Sequence, residues 1–334
     1  MGMSPFLGSF QPGCGARHSA FDFELQMTIE TVAIAGLTTP VSRIGLGTWA
    51  IGGSMWGGTD EKDSIAVIRR ALDSGVNLID TAPVYGFGAS EEIVGKALAD
   101  GYRHKAVIAT KVALEWHDGA VFRNSSAARI RQEVEDTLRR LRTDYIDLYQ
   151  VHWPDPLVPI EETARVLDDL RKEGKVRALG VSNFSPTQMD AFRRVAPLST
   201  TQPPYNLFER DIDRDVLPYA QRHGLVALAY GALCRGLLAG RIGVETRFEG
   251  DDLRQRDPKF REPRREQYVA ARRSRYGARV VPRSWTASTT CSAGASTRRH
   301  SGRSTRLSRA SSKTLWGRSS WRRRNACSWR NRRP

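Results

Sequence analysis

Val76-Asn-Leu-Ile-Asp80-Thr-Ala-Pro-Val-Tyr85-Gly86 is the stretch from which the fold is read. Its opening run is short, apolar and β-favouring, and Gly75 separates it from a helical pattern upstream, so it reads as a strand. A carboxylate closes that strand, and a phenol follows five residues later. In a barrel of alternating strands and helices, the carboxyl ends of the strands form the active face, so Asp80 and Tyr85 are placed there together.

Working outward, the same unit repeats. Ile29 to Val41 alternates loosely around a Thr38-Thr-Pro40 break and is expected to be a hairpin plugging one end of a larger body. Arg43 to Trp49 reads as the first strand, and Asp60 caps a helix to Asp73. Ser90-Glu-Glu is expected to cap a helix through Leu98, followed by a strand over Ala106 to Lys111. Ile130, Val134, Leu138 and Leu141 lie on one helical face, ahead of a strand from Tyr145 to His152. Helix and strand continue as Pro159–Lys172, Val176–Asn183, a helix from Pro186, Thr200–Gln202, Ile212–His223 and Leu225–Tyr230. Seven alternations with short connections, and no Gly-x-Gly-x-x-Gly opening a helix, favour a closed (β/α)8 barrel over an open doubly wound sheet.

Composition bounds what remains. Residues 271–334 hold 17 Arg, one Lys and no Asp or Glu, while the first 270 residues carry 34 basic against 36 acidic side chains. The formal +16 of the whole chain is therefore a property of the tail, and the body offers no basic footprint for nucleic acid. That tail shows no eighth strand and no amphipathic helix, yet it holds Trp285, Trp316, Trp321 and Trp329. Its mixture is what a GC-rich gene yields when read out of frame, so the eighth βα unit is expected to be missing or scrambled. Residues 1–26 read as a disordered leader, 27–270 as the barrel domain and 271–334 as a tail. Cys14, Cys234, Cys291 and Cys327 have no metal-ligand or disulfide-framework spacing, so no metal is expected. No secretory or membrane-spanning pattern appears, which points to the cytoplasm.

Asp80, Tyr85, Lys111 and His152 end successive strands or lie just behind one. Singly each has an ordinary explanation, a rim charge for Lys111 or a cap for Asp80. Together they suit carbonyl reduction, in which a proton must reach a developing alkoxide. An ammonium beside a phenol favours the phenolate, so Lys111 is expected to lower the Tyr85 pKa, with Asp80 orienting Lys111 and His152 bonding the substrate oxygen. Trp49, Trp56, Trp116 and Trp153 follow strand ends or lie on their loops and are candidates for the wall of a substrate pocket, of which Trp49, Trp56 and Trp153 are the preferred three; ordinary packing serves as well for any one of them.

Asp80-Thr-Ala-Pro-Val-Tyr-Gly86, Ala109-Thr-Lys111, Leu148-Tyr-Gln-Val-His-Trp-Pro154, Gly180-Val-Ser-Asn-Phe184 and Gln202 to Asn206 resemble the aldo-keto reductase family, over about Ile29 to Phe248. The resemblance implies a (β/α)8 barrel, NADPH-dependent reduction of a small carbonyl compound with NADH as the other possible cofactor, and Asp80, Tyr85, Lys111 and His152 as catalytic residues. It further implies Ser182, Asn183 and Gln202 at the nicotinamide carboxamide, Tyr230 stacked on the ring, and Gly231, Leu233 and Gly236 in the segment covering the pyrophosphate. Gly231 and Ala232 stand where Ser and Pro are often seen. On the residues alone, Ser182 and Asn183 read as a helix-start cap before Pro186. Some relatives of the family resemble ion-channel partners, so an idle barrel serving as a binding or regulatory subunit is the alternative.

Overall fold

The structure, a computed structural model, describes residues 29–273. The expected leader, the arginine-rich tail and the expectation about an eighth unit beyond residue 273 lie outside the described residues.

Thr31–Val32 (β1) and Val41–Ser42 (β2) pair antiparallel, as the hairpin pattern predicts. Ile34, on the turn between them, is buried with Leu78, Val107, Leu148 and Ala178, the inward residues of the strands that follow. Asn77, one residue ahead of its strand, accepts from the Ser42 amide at 2.7 Å, which puts the hairpin at the amino end of the sheet. The plug is therefore real, and it leaves the opposite end free.

Seven parallel strands make the main sheet: Gly45–Gly47 (β3), Leu78–Asp80 (β4), Val107–Val112 (β5), Ile146–Val151, Val176–Ser182, Thr200–Gln202 and Val226–Ala227. Each pairs with the next in chain order, in parallel. Between β5 and its parallel neighbour lies an antiparallel hairpin, Leu114–His117 (β6) and Ala120–Arg123 (β7), so the remaining strands of the main sheet are β8 to β11. Helices follow the strands: α1 (Glu61–Asp73), α2 (Ala89–Ala97), α3 (Ala127–Leu141), α4 (Ile160–Lys172), α5 (Pro186–Arg193), α6 (Val216–Arg222) and, after several 3₁₀ turns, α7 (Arg264–Arg273). One apolar layer fills the sheet's concave side around Leu78, Val107 and Leu148; two more lie between the sheet and the helices, around Ile79 and Ile108 and around Tyr149 and Leu179. The switch of side follows from the period of two along each strand.

The curl of the sheet can be read from a single bond. Gln202 on β10 donates to Asp80 on β4 at 2.7 Å, although three strands separate them in the hydrogen-bonding order. In a flat sheet those strands would stand about 19 Å apart, at roughly 4.8 Å per step. The sheet is thus a barrel wall of seven strands, and β3 and β11 are its two edges among the described residues.

Local chemistry departs from the sequence reading at α2. Ser90 does not cap the helix: Gly88 holds the N-cap position in a left-handed conformation, with no side-chain cap. The Ser90 hydroxyl lies inside, within 2.7 Å of Thr48 Oγ1 and 2.9 Å of Thr81 Oγ1. Glu91 is likewise buried, accepting from Thr110 and Arg140 rather than facing water. Packing of the helix onto β3 to β5 outweighs the capping preference. Elsewhere the capping signals hold: the Asp60 side chain accepts from Asp63 N, and Ser185 forms a capping box ahead of Pro186. The expected helix over Ile212–His223 is broken into a 3₁₀ turn and the shorter α6, with Asp215 at the cap.

Candidate active site

Asp80 is level with Ala109 and Lys111 with Gln150, so Lys111 and His152, each two residues further on, keep the same face, and Asp80, Lys111 and His152 reach one mouth at the carboxyl ends of β4, β5 and β8. Lys111 is almost fully buried. An ammonium has three donors, and all three are matched: Asp80 Oδ1 at 2.6 Å, Thr81 O at 2.9 Å and Tyr85 Oη at 3.2 Å. Since Lys111 has no acceptor to offer, the Tyr85 oxygen accepts from it and the phenolic hydrogen is left to point elsewhere. The Tyr85 ring packs edge-on to His152 at 5.8 Å between centroids and lies nearly parallel to Trp49 at 6.1 Å.

The electrostatics show the expected pull of Lys111 on Tyr85 and set a larger effect against it. Burial raises the Tyr85 phenol above its usual value; the Lys111 charge pulls it down, the Asp80 charge pushes it up, and the net direction is upward. Lys111 therefore moderates the shift without reversing it, because desolvation of a phenolate is the larger effect here. The Lys111 ammonium itself is opposed by burial, but Asp80 and Tyr85 outweigh that and hold it above the ordinary range. Burial first, and Lys111 second, press His152 well below the usual imidazole value, so the ring is neutral. At neutral pH the site thus holds a charged amine, a protonated phenol and an uncharged imidazole.

Around this centre lie the other expected residues. Ser182 Oγ donates to Gln202 O at 2.8 Å, and Asn183, in a left-handed conformation, donates to His152 O and Ser182 Oγ, both at 3.0 Å. Tyr230 donates its hydroxyl to Asn183 Oδ1 at 2.9 Å and keeps 37% of its surface exposed; burial of the rest pushes its phenol up to about 12. Ser182, Asn183, Gln202 and Tyr230 therefore form one bonded chain leading to Asp80. Gly231 and Gly236 have positive φ in the segment that follows, and Leu233 is exposed.

The aromatic candidates divide. Trp56 meets Trp49 edge-on at 5.3 Å, so these two continue the wall that starts at Tyr85. Trp153 follows His152 in sequence, but its exposed ring lies under Arg123 of β7. Two contributors escaped the sequence reading. Phe87 packs on Trp116 of β6 at 5.8 Å, and the β6–β7 hairpin that carries Trp116 was signalled by Asp118-Gly119, both with positive φ, the pairing that a tight hairpin turn demands. The other is the hydroxyl cluster of Thr48, Thr81 and Ser90 behind Asp80, where Thr48 also bonds the Asp80 carbonyl through its amide at 2.9 Å.

Polar side chains converging on the carboxyl ends of a parallel barrel define a barrel enzyme. The chain matches the Aldo/keto reductase family over residues 43–292, further than the stretch ending at Phe248 over which the sequence resembles it, and it belongs to that family of oxidoreductases. It is 60% identical over 261 residues to "Aldo-keto reductase YhdN" of Bacillus subtilis, covering 76% of this chain and 79% of that one. It is 40% identical over 217 residues to "NADH-specific methylglyoxal reductase" of Escherichia coli, covering 60% and 67% respectively. Among solved structures it resembles glycerol dehydrogenase AKR11B4 from Gluconobacter oxydans, with TM-score 0.67, 60% identity and coverage of 72% and 75%. It also resembles an aldo-keto reductase from Klebsiella pneumoniae in complex with NADPH, with TM-score 0.54, 37% identity and coverage of 64% and 71%.

Proposed function

We propose that this chain reduces a small aldehyde or ketone with NADPH, Tyr85 giving the proton to the carbonyl oxygen. The observation that carries this reading is the triply bonded Lys111: it takes the lone pair of Tyr85, holds the residue against Asp80, and so aims the phenolic hydrogen away from both. A neutral His152, whose ring lies edge-on to that of Tyr85, is suited to bond the same carbonyl oxygen and fix its angle. Tyr85 is protonated at neutral pH, and the Lys111 charge, by opposing the upward push of burial, is what makes the phenol a better donor.

The residues fit a nicotinamide. Tyr230 offers a partly exposed ring face, and the amides of Asn183 and Gln202 with the Ser182 hydroxyl lie within one bonded chain of the acid. We assign them to its ring and carboxamide, and Gly231, Leu233 and Gly236 to the segment over its phosphates. When bound, the cofactor supplies the hydride. Trp49 and Trp56 wall the substrate space next to Tyr85, with Trp116 and Phe87 on its hairpin side. A reduced cytoplasmic setting suits the free, buried Cys234 thiol.

The test is turnover of a simple aldehyde by the full chain with NADPH and with NADH, before and after Tyr85→Phe. Loss of roughly 10²- to 10⁴-fold in kcat, with cofactor binding retained, is expected for removal of a general acid. Unchanged kcat in Tyr85→Phe would remove the assignment, and binding of NADPH with no turnover by the parent chain would make it an idle barrel.

A further inference from the structure

Gln202 and Asp80 stand on opposite walls of the barrel mouth, and they are bonded. Gln202 Nε2 donates to Asp80 Oδ2 at 2.7 Å, while Asp80 Oδ1 accepts from Lys111 at 2.6 Å. Gln202 is buried and its main-chain oxygen is anchored by the Ser182 hydroxyl and the Asn183 amide, so its side chain starts from a fixed root. An ionised carboxylate only accepts hydrogen bonds, which forces the NH₂ end of the amide toward Asp80 and turns Oε1 the other way. A carboxylate gripped at one oxygen can swing about its last torsion; gripped at both, it cannot. Fixing Asp80 fixes the ammonium of Lys111, and with it the acceptor that orients Tyr85.

We propose that Gln202 is a positioning residue for Asp80: by holding the second oxygen of that carboxylate it sets, through Lys111, the aim of the proton donor. The proposal rests on the reading of Tyr85 as the acid. Its competitor is a Gln202 that touches only the cofactor. The two differ in the cofactor-free protein, where a pure cofactor contact has nothing to do. Tyr85 is faced there by Lys111 and Asp80, by the His152 ring and by Tyr230. Of these, only Asp80 is bonded to Gln202. Taking away the amide donor leaves more negative charge on Asp80, which disfavours the Tyr85 phenolate.

The experiment uses the full chain with ¹³C-labelled tyrosine, the Tyr85 Cζ signal being the one absent from Tyr85→Phe. Gln202→Met keeps the side chain's length and removes both polar atoms. Expected in the cofactor-free protein is a displaced Tyr85 signal that titrates at higher pH than in the parent. At saturating NADPH, kcat falls on the order of 10- to 100-fold, the scale of a misaligned reacting group. An unmoved Tyr85 signal and an unchanged kcat, with only weaker NADPH quenching, would overturn the proposal and leave Gln202 as a cofactor contact. Gln202→Glu, which keeps the shape but sets a carboxyl against Asp80, provides the same reading should the methionine variant not fold: the Tyr85 signal must then change as the introduced carboxyl ionises, and a signal identical to the parent at every pH overturns the clamp. A Tyr85→Phe chain with full kcat would instead sink the acid assignment, and the cofactor-free spectra would still judge the clamp.

Discussion

Glu133 on α3 shows what the fold imposes on a single side chain. It is buried, its Oε2 accepts weakly from Ala113 N at 3.3 Å, and its Oε1 has no partner. The charged and titratable groups around it are Arg129 and Arg140 on its own helix, Glu91 from α2 and Tyr149 from β8, whose buried hydroxyl is also unpartnered. Burial pushes its carboxyl from 4.5 up to about 8, against the pull of Arg129. The folded state therefore holds a proton in a window where the unfolded chain has released it. Its contribution to stability is full below 4.5 and is lost as pH rises toward about 8. Glu133→Gln, which cannot ionise, is expected to lose less stability than the parent between those limits; urea titrations at pH 5 and pH 8 that give the two chains the same slope would refute it. The sequence shows Glu133 on the helix whose apolar stripe runs through Ile130 and Val134, but not that its own position is buried. Asp80, Tyr85, Lys111 and His152 were readable because strand ends in a barrel converge by topology alone. The sign of the Tyr85 shift was not, since desolvation depends on what closes over the ring.

Loops that meet backbone to backbone set the aim of Tyr85. Gly86, with φ +63°, leaves no room for a side chain: a Cβ there would lie 2.0 Å from Gly52 O. Gly52 is equally confined, with Tyr85 C only 2.6 Å from where its Cβ would be. The 3₁₀ turn Ala50–Gly52 after β3 is thus pressed against the chain just behind the phenol, and Trp49 at its start stacks on the Tyr85 ring. Gly52→Ala is expected to cost roughly 1–3 kcal/mol, the usual range for overpacking, and to lower kcat through displacement of Tyr85. Melting and steady-state rates measured together check it, and a variant equal to the parent in both would mean the loops can separate freely. Gly86 stands in the stretch that first identifies the site, but its partner 34 positions earlier is invisible to local pattern. The same limit applied to Ser90, where a sound capping signal lost to a tertiary cluster of three hydroxyls. The β6–β7 hairpin differs, for its Asp118-Gly119 turn is a local signal present in the sequence that went unread.

At the scale of the whole molecule, the barrel wall has two edges among the described residues, β3 and β11, and its mouth is tied across them. Asp251, in the segment after β11, accepts from the amides of Met55 and Gly57 after β3, at 2.6 and 3.0 Å, and Leu253 N donates to Met55 O at 3.0 Å. Arg254 lies over the Trp56 ring at 5.3 Å, extending the tie to the aromatic wall beside Tyr85. The centre of the sheet is held quite differently, with β5, β8 and β9 buried and laddered on both sides. Amide exchange should follow this order. Protection is expected to be greatest along Val107–Val112 and Ile146–Val151 and least at Gly45–Gly47 and Val226–Ala227, because an edge strand can shed its single ladder without global unfolding. Asp251→Ala should then strip protection from Met55 and Gly57 while leaving β5 and β8 unchanged, since the bonds it removes are local to the mouth. Exchange mass spectrometry of the two chains decides both points: edges as slow as the centre would mean that something seals β3 to β11, and a mouth indifferent to Asp251 would mean that the Leu253–Met55 bond and the Arg254–Trp56 contact suffice to hold the loops.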